Sequence, residues 1–419
     1  MSQNHVFKTG TSSIVDKCQI SGSDKLVPIL FLGYLPPVNK MNKIGARPKE
    51  ELAYPAEILY CPESNLVQLG LVVDAKILFP PEYPYTSSTT KILKDNFNEM
   101  YREANSLLHI KSDDLVIDIG SNDGNLLSNW QHGHRVLGIT PEEIGKIAIE
   151  KGIPTLIDYF NSDVVNKIID DHGKAKVVTA TNVFAHIENI NQVVENILKI
   201  LDEDGVFISE SHYLLPLIQD LQYDTIYHEH LRYYSLASIK FLLEKHNLEI
   251  WHTKEIPTHG GSIRVYASRK GKFKIDNTVE AQLKKESSVC IGTDSLYKFR
   301  DRVIMSKLKL MSILNEIKEK KQSIYGISAP SRASTLVNYV GIDHLILDCI
   351  LEIKGSHKIG NYMPGTIIPI LDEEILYQKQ PDYALILSWH IADELISILK
   401  KKGYKGKFII PLPEPHIVE

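Results

Sequence analysis

Between Asp114 and about Ser268 the chain alternates apolar runs of strand length with stretches of helical periodicity, the runs being LVIDIG, RVLGIT, KVVTATNV, GVFISES and IRVYASR. A strand buried on both faces reads as a continuous apolar run, and helices between such strands supply the crossovers that parallel pairing requires. The segment therefore predicts a mostly parallel sheet flanked by helices. The same grammar returns near the C-terminus, where SIYGISA, HLILDCILE and YALILSW predict a second, smaller α/β unit. Ahead of the first alternation, KILKDNFNEMYREANSLLHI has apolar residues near helical spacing and neither Gly nor Pro, so a helix is expected from Lys91 to about Ile110. Between the two units Phe299, Val303, Leu310, Leu314 and Ile317 recur near helical spacing and predict one long connecting helix. Residues 1 to about 85 differ: ILFLGYLPP, AYPAEILYC and NLVQLGLVVD are short apolar runs broken by turn residues, and read as strands and loops. No solenoid repeat is visible. The expected division is residues 1–85, 86–268, a helical connection over 269–322, and 323–419.

Composition narrows the function. A chain of 419 residues with 43% hydrophobic and 24% charged content can fill several cores, which excludes disorder and fibre. With 47 basic against 52 acidic residues the net charge is −5, so no general attraction to nucleic acid or anionic lipid exists and any phosphate must be gripped locally. The apolar stretch Leu26 to Leu35 is interrupted by Pro28 and is too short to span a bilayer, and MSQNHVFKTGTSS lacks the apolar core of a signal peptide, so no membrane segment and a cytoplasmic location are expected. Cys18, Cys61, Cys290 and Cys349 are too scattered for a disulfide framework, and free thiols are expected.

LVIDIGSNDG places Asp118 and Gly120 at a strand end, with Gly124 four residues on and a helical stretch following. A strand feeding a glycine turn and a helix lets the backbone approach a ligand and aims free amides at it, including those of Asn122 and Asp123. No Gly-Lys-Ser/Thr follows, so the turn is not an NTPase phosphate loop, and without G-x-G-x-x-G the dinucleotide reading is poor. An acid followed by G-x-x-x-G suits S-adenosylmethionine, whose methionine part brings an ammonium and a carboxylate but no pyrophosphate. An ordinary tight strand-to-helix turn is the alternative. The next strand ends in Thr140-Pro141, where a ribose diol is usually met by Asp or Glu; Thr140 cannot clamp two hydroxyls, and Glu142 or Glu143 can substitute.

QYDTIYHEHLRYYS packs two histidines, two acids and four tyrosines into one run. Tyr227, His228, Glu229 and His230 supply a phenol, a carboxylate and two imidazoles, a set suited to moving a proton and steadying an oxyanion. Metal binding by His-x-His lacks further ligands of convincing spacing, and a hydrogen-bonded structural loop is the other reading. TNVFAHIENI brings Asn182, Val183 and His186 to a carboxyl strand end, where ligands collect in open α/β sheets. THGGSIRVY offers His259, Gly260, Gly261, Ser262 and Arg264, or a simple turn. EYPYTSSTT sets Tyr83 and Tyr85 two apart, for a ligand or for packing. In the C-terminal unit the turn Ser328-Ala329-Pro330 and the loop with Lys358 can approach a nucleotide, or merely connect elements.

The ordered strings GSNDG, NVFAHI, YDTIYHEH, HGGSIRVY, YGISAPSRA, YMPGTIIPI and LILSWH, preceded by GYLPPVN, AYPAEILYC, LVQLG and YPYTSS, resemble the three-domain sugar C-methyltransferases that act on nucleotide-activated keto-deoxysugars. The resemblance covers nearly the whole chain. It implies an α/β fold with a central Rossmann-like methyltransferase domain, a small N-terminal α+β module and a smaller Rossmann-like C-terminal domain. It further implies S-adenosylmethionine in the central domain, at Asp118, Gly120, Asn122, Asp123, Gly124, Thr140, Pro141, Asn182 and Val183. A nucleotide-sugar would lie between the central and C-terminal domains, reached by Tyr83, Tyr85, His228, His259, Gly260, Gly261, Ser262, Arg264, Ser328, Ala329, Pro330 and Lys358. Tyr227 and His230 become the residues that deprotonate the carbon beside the ketone and stabilise the enolate, supported by Glu229 and His186. His230 needs little tuning for this, and Glu229 is expected to orient an imidazole.

The family's N-terminal module usually holds zinc with two C-x-x-C pairs, whereas this chain has Cys18-Gln19-Ile20-Ser21 and Cys61-Pro62-Glu63-Ser64. With half the thiolates missing, a tetrahedral zinc site is not expected, and the chain reads as a divergent member with no metal. Methylation of a sugar oxygen or nitrogen, and a nucleotide-sugar-binding relative without catalysis, are the alternatives; the product would be a branched sugar for a polysaccharide or a secondary metabolite. No nucleic-acid or membrane partner is expected, and monomer and dimer are both open.

Overall fold

A computed structural model describes residues 11–79, 91–289 and 291–419; Tyr83, Tyr85 and Cys290 fall outside them. The central sheet has seven strands in the order Leu248–Ile256, Ser262–Arg269, Leu201–His212, Ala175–Thr181, Leu115–Ile119, Arg135–Thr140 and Thr155–Ile157. The last five run parallel, and Ser262–Arg269 is antiparallel to both its neighbours. Every residue of Leu115–Ile119 is buried, as its unbroken apolar run requires. Helices Ser162–His172 and Ile190–Ile200 start on Asn161 and Asn189, whose side chains accept from Val164 N at 2.9 Å and Gln192 N at 3.4 Å. Two strands lie outside the expected set, Thr155–Ile157 and Leu248–Ile256. Both are edge strands, and an edge tolerates the polar residues that hid them.

The C-terminal sheet has six strands, Ile370–Asp372, Cys349–Glu352, Ile324–Ile327, Tyr383–Ile386, Lys407–Ile410 and His416–Val418, parallel except for the last. The two Rossmann-like sheets make the protein an α/β fold. The connection between them is two helices rather than one, Asn277–Val289 and Thr293–Glu319. Gly292 is extended there, and its N–H donates to Ser295 Oγ at 3.0 Å, which caps the second helix and ends any continuation of the first. Phe299, Val303, Leu310, Leu314 and Ile317 are its buried stripe, at the expected positions.

The N-terminal sheet pairs Val27–Leu35, Tyr54–Cys61 and Leu66–Leu69 antiparallel and takes its fourth strand, Arg232–Tyr233, from the end of the histidine-rich run itself. The N-terminal module also touches the C-terminal unit, where Tyr362 N donates to Asn42 O at 2.8 Å and Ile44 N to Gly360 O at 3.0 Å. The histidine-rich run is thereby enclosed by all three units. No helix among the described residues is long and apolar enough to cross a membrane.

Candidate active site

Strand order reverses at Leu115–Ile119, whose two neighbours receive their crossovers from opposite sides, the place where open α/β sheets form their ligand crevice, outside the carboxyl ends. Gly120 (φ 76°) stands at that end. A Cβ built on it would lie 2.4 Å from Val183 Cγ2, so only glycine lets the Asn182-Val183 turn close over the strand end. Asn182 (φ 55°) is itself left-handed, and its N–H donates to Glu210 O at 2.7 Å. At Gly124 a Cβ would meet Ile153 and Ala148 within 3 Å, which packs the turn against the helix Gly145–Glu150. Asp123 is buried and paired with Lys151 at 3.2 Å, a structural tie on the far side of the turn.

Asp118 is buried and accepts from Thr179 Oγ1 at 2.7 Å; burial pushes its carboxyl up to about 7, only partly offset by that bond. Ser121 Oγ, also buried, has no hydrogen-bond partner among the described residues. A buried carboxyl, a hydroxyl without a partner among the described residues and a glycine turn are groups whose chemistry fits the ammonium and carboxylate of S-adenosylmethionine. Thr140 Oγ1 donates to Glu142 Oε2 at 3.1 Å, and burial raises the Glu142 carboxyl above its ordinary value. Glu143 is instead exposed and paired with Lys146. Of the two substitutes for the ribose acid, Glu142 is the one held at the strand end beside Thr140, while Pro141 is exposed.

The second cluster stands beside this crevice. His186 Nδ1 lies 2.6 Å from Glu229 O and His230 Nδ1 lies 2.9 Å from Thr225 O. A carbonyl can only accept, so both Nδ1 atoms carry the proton and both Nε2 atoms keep a lone pair. The two rings are 5.2 Å apart, and Tyr227 lies against His230 at 4.3 Å between centroids. Burial draws His186 down to about 4; burial and the neighbouring His186 draw His230 well below the usual imidazole value. Both are neutral at pH 7. The expectation that His230 needs little tuning is therefore corrected, since its surroundings penalise the imidazolium. Glu229 differs too: its backbone carbonyl holds His186, while its carboxylate accepts from Asn39 Nδ2 of the N-terminal module at 2.8 Å.

Several expected ligand contacts sit elsewhere. Arg264 is fully buried, with its guanidinium bound to Glu210 at 3.2 Å, Glu99 at 2.7 Å, Glu103 at 2.8 Å and Asn96 at 2.9 Å, so it holds the core instead of facing a ligand. His228 is buried against Tyr54 and binds Pro55 O at 3.2 Å, on the side of the N-terminal module. Ser262 Oγ is buried and donates to Thr258 O at 3.1 Å. Gly260 and Gly261 build a turn in which any Cβ would strike Gln222 or Pro216. His259 (φ 56°) is exposed, and the protein packed around its ring together with the Arg332 guanidinium lowers it to about 4. On the C-terminal wall Ser328 (φ 61°) donates to Ser388 Oγ at 2.5 Å, Ala329 N to Glu352 Oε1 at 2.7 Å, and Pro330 precedes the helix Ser331–Val340. Lys358 Nζ donates to Ala329 O, bracing that turn, and its ammonium is disfavoured by burial.

Sequence reasoning missed the residues that join the units. Asp224, fully buried, accepts from Arg332 Nε at 2.7 Å, Arg332 Nη2 at 2.8 Å and Trp389 Nε1 at 2.8 Å. His212 Nε2 meets Gln222 Oε1 at 3.1 Å, an amide oriented by its own bond to Gly260 O at 2.6 Å, and burial and Arg332 lower His212 to about 4. Asp224 lies inside the histidine-rich run and Asn39, Arg332 and Trp389 inside quoted strings, so position alone could have flagged them; nothing local marks His212.

The fold and crevice define an S-adenosylmethionine-dependent methyltransferase. Residues 257–413 match the family described as a C-methyltransferase C-terminal domain, 92–253 a methyltransferase domain, and 18–79 a family whose description proposes zinc binding. Together the three matches span most of the chain, and it is 29% identical over 409 residues to the C-methyltransferase NovU of Streptomyces niveus, covering 96% of this chain and 97% of that one. Among solved structures, magnesium protoporphyrin IX methyltransferase (ChlM) from Synechocystis PCC 6803 with bound SAM is 17% identical over 42% of this chain and 79% of that one, at a TM-score of 0.33. A S-adenosylmethionine-dependent methyltransferase from Clostridium acetobutylicum ATCC 824 is 15% identical over 44% and 94%, at 0.34.

Two outcomes are expected of calorimetric titration with S-adenosylmethionine. Because Asp118 titrates near 7 and its ionised form attracts the ammonium, affinity should rise as pH goes from 6 to 8, with proton release at the lower end; a flat profile would contradict this. Glu142→Ala should weaken binding about tenfold, the worth of a charged hydrogen bond, while Glu143→Ala leaves it unchanged.

Proposed function

We propose that this enzyme methylates a carbon adjacent to the ketone of a nucleotide-activated keto-deoxysugar, held between the central and C-terminal units. The observation that carries the reading is the meeting of Tyr227, His230 and His186, one phenol and two imidazoles, each imidazole oriented by a backbone carbonyl at Nδ1. Carbon becomes a nucleophile only after a proton leaves, and a neighbouring carbonyl lowers the cost by placing the charge on oxygen. In this reading His230 Nε2 takes the proton, the electrons of the C–H bond pass into the carbonyl as an enolate, and the Tyr227 hydroxyl donates to its oxygen. His186 and Glu229 position His230 and Tyr227, and the buried walls exclude water. S-adenosylmethionine supplies the electrophilic methyl group, held by the glycine turn with Asp118 and Glu142. No covalent intermediate with the enzyme is needed, only alignment.

Carbon is preferred to oxygen or nitrogen because the similarity to a protein named a C-methyltransferase runs over nearly the whole chain. The turn Ser328-Ala329-Pro330, Lys358 and His259 would face the nucleotide-sugar, and a substrate of this kind places the reaction in the cytoplasm. The test is proton exchange. With a nucleoside diphosphate 4-keto-deoxysugar in deuterated water and no cofactor, the enzyme should wash deuterium into the carbon beside the ketone, followed by NMR. Tyr227→Phe and His230→Ala should abolish exchange and turnover yet bind S-adenosylmethionine normally. Unchanged exchange in both variants would remove these residues from the chemistry.

A further inference from the structure

Two turns of the N-terminal module, Cys18 to Ser21 and Cys61 to Ser64, meet where a four-thiolate zinc site would be built, yet each supplies one thiol and one hydroxyl. Serine keeps its proton at neutral pH and is a poor ligand for zinc, and a structural zinc site is closed by four strong donors. The residues present do not fit the ion. Among the described residues no three His, Cys, Asp or Glu side chains gather to hold a metal.

The four side chains nevertheless converge, and they do so in crossed pairs. Cys18 Sγ lies 3.1 Å from Ser64 Oγ, and Ser21 Oγ lies 3.7 Å from Cys61 Sγ. Ser21 N donates to Cys18 Sγ at 3.4 Å and Ser23 N to Ser21 Oγ at 3.2 Å, so the first turn closes on itself as a metal knuckle does. Cys18, Cys61 and Ser64 are all buried. A tetrahedral zinc with ligands at about 2.0–2.3 Å would hold them about 3.5 Å apart, so the shorter Cys18–Ser64 distance is that of a direct hydrogen bond.

We propose that the N-terminal module of this enzyme is metal-free by construction, its zinc replaced by a Cys18–Ser64 and Cys61–Ser21 hydrogen-bonded quartet that supports the catalytic segment. The quartet reaches that segment by a short path. Ser64 turns the chain into Leu66–Leu69, which pairs with Arg232–Tyr233 two residues beyond His230. Gln68 of this strand accepts from Gln19 N at 2.8 Å and donates to Lys17 O at 3.0 Å, tying the first turn to the same strand, and Arg232 donates to the Gln19 side chain. Two turns that zinc would otherwise clamp are held by hydrogen bonds inside a packed core, which includes Cys18, Ile20, Cys61 and Leu66.

The test uses full-length protein from zinc-replete culture and does not depend on knowing the substrate. Elemental analysis should find well below one zinc per chain, and a strong chelator should leave Tm unchanged. One tightly held zinc, with Tm falling on chelation, would overturn the proposal. The Ser21→Cys/Ser64→Cys double variant should take up one zinc per chain, give the absorption of a four-thiolate cobalt complex when loaded with cobalt, and gain a chelator-sensitive rise in Tm. A folded double variant that still binds S-adenosylmethionine but takes up no zinc would show that the four positions do not converge. If the double variant fails to fold, Ser64→Ala decides: it should lower Tm by the same amount with and without chelator, and an unchanged Tm would refute a supporting role.

Discussion

One buried carboxylate holds the histidine-rich run in place. Asp224 lies within the histidine-rich run, and all three of its described donors, two from Arg332 and one from Trp389, come from the C-terminal unit. The fork of a guanidinium on a carboxylate fixes both distance and plane, so the pair sets the orientation of the run as well as its position. Removing one partner of such a buried pair typically costs about 3–5 kcal/mol, because the other is left charged and dry. The remainder of the run follows from this anchor. Six residues beyond Asp224, His230 is turned by the Thr225 carbonyl, and the chain then enters the N-terminal sheet as Arg232–Tyr233.

The cluster of Tyr227, His230 and His186 is held from more than one side. Leu231 N donates to Ala185 O at 2.8 Å, which joins the run to the turn carrying His186. Carbonyl oxygens accept from the Nδ1–H of both imidazoles, and burial keeps both rings neutral. The cofactor side follows another logic. There the glycine at position 120 exists because Val183 occupies the space a side chain would need, and that contact closes the crevice at the reversal of strand order.

Local signals carried much of this into the sequence. The all-buried strand Leu115–Ile119, the glycine turn and the stripe along Thr293–Glu319 were legible because burial on both faces, left-handed backbone and helical periodicity each leave a pattern in neighbouring residues. Edge strands left none: Leu248–Ile256 mixes charges with apolar residues. The helix break at Gly292 follows the apolar Val289-Cys290-Ile291, which reads as a continuation of the helix. Arg264 looked like a ligand residue beside a glycine pair, but three carboxylates, two of them from residues over a hundred positions away, claim it. Glu142 was readable as one of two candidates, and only the bond from Thr140 separates it from Glu143. Long-range partners of this kind are set by topology, which a single window of sequence does not contain.

The account stands on carbon being the atom methylated. The most direct measurement is NMR of the product formed from S-adenosylmethionine carrying a 13C methyl group and a nucleoside diphosphate keto-deoxysugar labelled with 13C in the sugar. A one-bond carbon–carbon coupling between the new methyl and the carbon beside the ketone is expected. A methyl signal without that coupling, at the shift of a methoxy or N-methyl group, would contradict it.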